Sequence, residues 1–128
     1  MRFLFLIGLF FFACTDINQA ELKTLLEARD SSISQKDIKH YSSLLSLPYL
    51  KGEGHIKVEE MKKIFKRFDS VEMQSRDREI RMLNDESAIC EQTYVLKVFA
   101  DGEWREIVQR EQLTFEKVDG SWKISGGI

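Results

Sequence analysis

The apolar positions of this chain fall into three patterns, and each predicts a different kind of element. Residues 3–13, FLFLIGLFFFA, are an unbroken apolar run behind one charge, Arg2. From Asp16 to about Ser34 the spacing is helical, with Leu22, Leu25, Leu26 and Ile33 on one face and Asp16 as the cap. Residues 37–46 predict a second short helix, capped by Asp37 and stopped by Pro48, with Ile38, Tyr41, Leu44 and Leu45 on its apolar face. KGEGH, 51–55, reads as a loop. Val58 to Phe68 predicts a third helix with the stripe Val58, Met61, Ile64, Phe65 and Phe68. Glu59 and Glu60 open it and Lys62, Lys63, Lys66 and Arg67 follow, an order that complements the helix dipole.

From about residue 71 the period becomes two. Asn84-Asp85-Glu86, Asp101-Gly102 and Asp119-Gly120 punctuate it, and Asp-Gly between alternating runs is a hairpin signal. The pattern predicts four antiparallel strands near 71–83, 88–100, 103–117 and 121–126. At ~3.3 Å per residue the middle two would each exceed about 40 Å, so they must curl, through bulges. Helices followed by a curled meander make an α+β fold, with three N-terminal helices packed in a curved four-stranded sheet.

A two-residue turn at Asp101-Gly102 fixes which residues share a face. One face carries Val98, Leu96, Tyr94, Gln92, Cys90 and Ala88 opposite Arg105, Ile107, Gln109, Glu111, Leu113 and Phe115. It is the more apolar face, so it is expected to meet the helices; the turn at Asp119-Gly120 adds Trp122 and Ile124 to it. Polar groups interrupt its middle: Tyr94 opposite Gln109, and Gln92 opposite Glu111. Buried polar groups without partners cost about 1–3 kcal/mol each. These four must therefore satisfy one another, turn outwards at a bulge, or form the polar floor of a pocket lined by Leu96, Ile107, Leu113, Phe115, Trp122 and Ile124. A three-residue turn at 85–87 puts Met82, Ile80 and Arg78 on the same face and a two-residue turn Leu83, Arg81 and Glu79; the apolar pair Ile80 and Met82 favours the first, with Arg78 near Tyr94 and in reach of Glu111.

The helical pair with SQKDIKHYSSLLSLPY, the helix VEEMKKIFKRF and the final strands LTFEKVDGSWKISGG together resemble the nuclear transport factor 2-like superfamily, which includes SnoaL-like and ketosteroid-isomerase-like groups. The resemblance spans about residues 17–128 and is most specific at DGSWKI. It implies a sheet wrapped around helices as a cone-shaped barrel with an internal pocket, and homodimers through the outer sheet face, where Phe99, Trp104, Val95 and Val108 lie. Enzymes of that fold place an acid or base in the cone. None of the family's catalytic residues transfers to this chain: no carboxylate follows SLPY before Glu53, and His40 and His55 fall on a helix and a loop.

The amino terminus adds a location. Residues 3–13 are too short to span a bilayer, which takes roughly 20 apolar residues. A conventional cut after Ala13 would put Phe11 where a small residue is wanted. The stretch LFFFACTD resembles a bacterial lipoprotein signal, which implies lipidation of Cys14 after removal of residues 1–13, with 14–16 as tether and 17–128 as the domain. Thr15 in the following position leans towards the outer membrane, facing the periplasm if the cell is Gram-negative. Loss of Arg2 leaves 18 Lys+Arg against 21 Asp+Glu, a net charge of −3, with no basic surplus for nucleic acid. Cys90 is then the lone thiol, and two histidines without clustered cysteines predict no metal and no cofactor.

Three functions fit these features. One is a non-catalytic, lipid-anchored envelope module that binds a small apolar ligand, a peptide or another envelope protein. Another is a small isomerase, dehydratase or hydrolase, with Tyr94 donating to a developing oxyanion and Glu111 as base. The third is structural, through dimerisation alone.

Overall fold

The computed structural model describes the backbone of residues 2–127 and the side chains of residues 17–127. Four helices precede four strands: α1 (Arg2–Ser34), α2 (Ile38–Ser43), α3 (Leu47–Leu50), α4 (Glu53–Arg67), β1 (Ser70–Met82), β2 (Ser87–Ala100), β3 (Glu103–Val118) and β4 (Ser121–Gly127). The strands form one antiparallel meander in the order β1-β2-β3-β4. The fold is α+β, and its sheet is open rather than a closed barrel.

The helical half differs from the sequence pattern at three points. α1 is continuous from Arg2, so Asp16 lies within it and does not cap it. Pro48 opens α3 instead of stopping a helix; its missing N–H is harmless in a first turn, and Ser46 caps that turn by accepting from the Tyr49 amide. KGEGH is not a loop, because α4 begins at Glu53. Gly54 explains this early start. A Cβ there would come within 2.7 Å of the Tyr49 carbonyl oxygen and 2.9 Å of its ring, so only glycine lets α4 pack against α3. Lys36, at φ 56°, turns the chain after α1, and Asp37 caps α2 as expected, accepting from the His40 amide at 3.0 Å.

The sheet follows the predicted register closely. Ala100 pairs with Glu103 across Asp101-Gly102, and Val118 with Ser121 across Asp119-Gly120; all four turn residues have positive φ, as this hairpin type demands. β1 contains a bulge. Its pairing with β2 slips by one between Arg76 and Glu79, with Asp77 at φ 54°, and Arg110 of β3 donates to the Asp77 carbonyl at 2.8 Å. A one-residue slip exchanges the two faces. Val71, Met73 and Ser75 face inwards before it; Arg78, Ile80 and Met82 do so after it.

The core lies between this inner face and the helices. Leu22, Leu25, Leu26 and Ile33 of α1 pack with Tyr41, Leu44, Leu45 and Val58, and against Val98, Leu113, Phe115, Trp122 and Ile124 of the sheet. Main-chain bonds from Ser46 N to Ile124 O (2.8 Å) and Ile124 N to Leu44 O (2.9 Å) cover the outer edge of β4. β4 pairs only with residues 113–118, leaving the first half of β3 as an exposed edge. Ile107 is therefore 45% exposed and Gln109 lies on the surface, although both were expected inside.

Gly54→Ala tests the helix junction. Alanine normally favours a helix interior by about 1 kcal/mol over glycine. Here overpacking against Tyr49 reverses the sign, and thermal unfolding should show a loss of about 1–3 kcal/mol.

Candidate functional site

The polar interruption of the sheet is met by a residue from the opposite layer. Arg29 sits on the same face of α1 as Leu22, Leu26 and Ile33, at spacings of three and four residues, so the helix that builds the core also drives a guanidinium into it. Its Nη1 and Nη2 donate to the two oxygens of Glu111 at 2.7 and 2.9 Å. Gln92 Nε2 donates to Glu111 at 2.9 Å, and Arg78 Nε donates to Gln92 Oε1 at 2.8 Å. Gln92 is fully buried and Glu111 is 5% exposed. The bulge at Asp77 is what brings Arg78 inwards to this chain of bonds.

Such a pair is costly to bury and stable only when fully bonded. Burial works against the charge on Arg29, but Glu111, by charge and hydrogen bonding, outweighs it and holds the guanidinium pKa above its ordinary value. Both Glu111 oxygens are engaged by donors. A proton taken up by Glu111 would weaken its pairing with Arg29. Tyr94 is turned away from this network and donates to Gln109 Oε1 at 2.5 Å.

Over Arg29 and Glu111 lies a cavity of about 180 Å³. Its walls are apolar, from Ile33, Met61, Ile64, Met73, Leu96 and Leu113, with Leu45 and Ile124 beside them. Tyr41, Tyr49 and Tyr94 face it, and Lys57 and Glu60 of α4 stand at its rim. Burial raises the pKa of all three phenols above the usual tyrosine value, so each remains a neutral O–H donor at physiological pH. Apolar walls with a few convergent polar groups are what small-molecule sites share. This one matches in size a protein cavity of ~150 Å³ known to admit benzene.

A second opening lies across the polar chain, between α1 and β1, lined by Lys23, Glu27, Asp30, Ser75, Arg78 and Ile80. Asp30 Oδ1 and Ser75 Oγ are buried there without a hydrogen bond of good geometry. Burial raises the Asp30 carboxyl pKa; the nearby Ser75 hydroxyl and the positive charges of Arg29 and Arg78 oppose it without cancelling it.

The structure thus brings Gln92, Glu111 and Arg78 together, but Arg78 meets Gln92, and Arg29 takes Glu111. Leu96, Leu113 and Ile124 line the cavity, whereas Phe115 and Trp122 belong to the solid core behind it. Ile107 and Gln109 are outside the site. Cys14 lies outside the residues whose side chains are described. Cys90 is a buried free thiol whose pKa burial raises. The residues missed from sequence were Arg29, Tyr41 and Tyr49. The signal for Arg29 was a charge at a core position of an amphipathic helix.

No family model and no curated protein matches this sequence. Solved structures do match its fold. A nuclear transport factor 2-like family protein from Streptomyces avermitilis superposes with a TM-score of 0.76 at 12% identity, over 88% of this chain and 94% of its own. This chain has the nuclear transport factor 2-like cone fold. Hexachlorocyclohexane dehydrochlorinase LinA-type3 from Novosphingobium barchaimii gives a TM-score of 0.71 at 12% identity, over 90% and 86%. A candidate scytalone dehydratase from Novosphingobium aromaticivorans gives 0.75 at 12%, over 90% and 84%. At this identity the likeness is one of fold.

Removing one member of the buried pair strands the other. Arg29→Met or Glu111→Leu alone should cost about 3–5 kcal/mol in urea unfolding, and the double variant should recover most of that loss. Additive losses would show that the two residues do not interact. Asp30→Asn should stabilise the protein at neutral pH. A raised folded pKa means the protonated carboxyl favours the fold, fully so below the ordinary value of about 3.9, and the benefit is lost as pH rises through the folded pKa. The melting-temperature gain of the variant should therefore grow as pH rises above about 4 and level off once pH has passed the folded pKa.

Proposed function

We propose that this protein is a membrane-anchored envelope module whose cone binds a small, neutral, largely apolar molecule without chemically changing it. The observation that carries the binding reading is the cavity floor: Arg29 and Glu111 cancel each other's charge, so a charged ligand finds no unpaired partner there. Tyr41 and Tyr49 offer phenol donors to a carbonyl, ether or hydroxyl oxygen of the ligand, and the aliphatic walls take its body. A volume near 180 Å³ suits a molecule of about six to ten heavy atoms. The anchor reading rests on Cys14 at the end of the apolar run.

The likeness to dehydratases and a dehydrochlorinase supports an alternative, an enzyme of that kind using Glu111 as base and Tyr94 as donor. The bonds that occupy both residues weigh against it.

Titration of isotope-labelled protein with cyclohexanone, phenol and benzoate, followed by amide chemical shifts, tests the reading. The two neutral probes should bind saturably with dissociation constants on the order of 1 mM, the range for ligands this small. The largest shifts should fall at Tyr41, Tyr49, Met73 and Leu96, with benzoate weaker by at least roughly tenfold, because the floor guanidinium is already paired with Glu111 and Lys57 at the rim stands beside Glu60. Ile64→Trp, which fills the cavity, should abolish the response. Tighter binding of benzoate, or binding undiminished in Ile64→Trp, would overturn it.

A further inference from the structure

Three exposed apolar side chains gather at one pole of the domain, and α1 enters the fold at that same pole. The main chain of Lys117 in β3 donates to the Glu86 carbonyl in the β1–β2 loop at 2.8 Å, which sets that loop beside the β3–β4 turn. Lys117 Nζ and Trp122 Nε1 both reach Asn18 Oδ1, at 3.3 and 3.4 Å, which fixes the start of the described part of α1 against the same corner. α1 then runs away from it, reaching Met73 through Ser34 and the main chain of Phe68 and Asp69 through Lys36. At this pole Ile17 is 56%, Leu83 55% and Val118 45% exposed. They come from α1, the β1–β2 loop and β3, and none belongs to the core cluster.

We infer that this pole, through Ile17, Leu83 and Val118, is a contact surface for the lipid bilayer. The inference rests on the anchor reading given above. Ile17 is three residues past Cys14, and at 1.5 Å rise per helical residue that places it roughly 5 Å along the helix from the lipidated position. With Asn18 clamped to the sheet, the domain is held against the membrane and has no long tether on which to turn away. Asp85, Glu86 and Asp119 adjoin these residues in the chain and are exposed, while Lys117 beside Val118 is bonded to Asn18, so the contact is apolar and shallow and gains little from anionic headgroups. None of the residues lining the cone cavity belongs to this pole, so the cavity exchanges its ligand with the aqueous side.

The test uses the full lipidated protein in phosphatidylcholine vesicles, with a bimane fluorophore at Leu83→Cys, Val118→Cys or Glu103→Cys. These exposed positions tolerate the label, and Cys90 is buried. The quencher is a lipid with a nitroxide high on its acyl chain. Labels at positions 83 and 118 should be quenched at least roughly twofold, because such contacts bed ~5–10 Å into the headgroup–acyl boundary. The label at 103 should be unaffected, since β3 places it roughly 40–50 Å from 118 along the strand. Protein that floats with the vesicles but shows equal or no quenching at all three sites overturns the surface while sparing the anchor. Protein that does not float, or that floats equally well as Cys14→Ser, defeats the anchor reading and the surface with it.

Discussion

The ion pair between Arg29 and Glu111 joins the two layers of this fold at the point where neither could close on apolar contacts alone. A guanidinium on the core face of α1 and a carboxylate on the inner face of β3 would each be ruinous without the other. Held bidentately, with Gln92 on the carboxylate, they become compatible with burial. The geometry requires α1 to lie over the sheet in one register and β3 to present residue 111 inwards. The bulge in β1 serves the same network, since a one-residue slip turns Arg78 inwards to donate to the side-chain oxygen of Gln92.

This constraint shapes the chemistry available to the cone. The polar chain divides the interior into a tyrosine-faced cavity on one side and an opening with the unbonded Asp30 and Ser75 oxygens on the other. A cone of this fold with a free carboxylate or histidine facing its cavity would be equipped for proton transfer. In this chain the carboxylate at that place is paired with Arg29, and what faces the cavity is mostly neutral hydroxyl and hydrocarbon, with Lys57 and Glu60 at the rim. Recognition of a small neutral molecule follows from that arrangement more directly than catalysis does.

The β2–β3 hairpin was legible in the sequence because the Asp101-Gly102 turn fixes its register, and alternation then gives the parity of each residue as far as Phe115; the bulge at Asp77, which exchanges the faces of β1, was not. Legibility failed where a residue's environment depends on another element. Ile107 and Gln109 have the right parity to face inwards, but β4 is too short to extend the sheet beside them, and no helix covers that edge. The early start of α4 depends on how closely Gly54 approaches Tyr49, a tertiary contact that no local pattern reveals. Arg29 shows the other kind of miss. Its spacing from Leu22, Leu26 and Ile33 announced a buried charge, and Glu111 was already marked as a carboxylate in need of a partner; the two facts had only to be joined. The polar centre was readable as a problem, but its solution lay across the layers.

The most direct measurement is of the Arg29 side chain itself, by nitrogen-detected NMR of the intact, unsubstituted protein. If both ends of its guanidinium are locked on Glu111, its Nε and Nη protons exchange slowly with water and its two Nη groups give separate, unaveraged signals. A single averaged Nη resonance with fast-exchanging protons, as for a surface arginine, would contradict the buried pair and with it the account of the cone built on it.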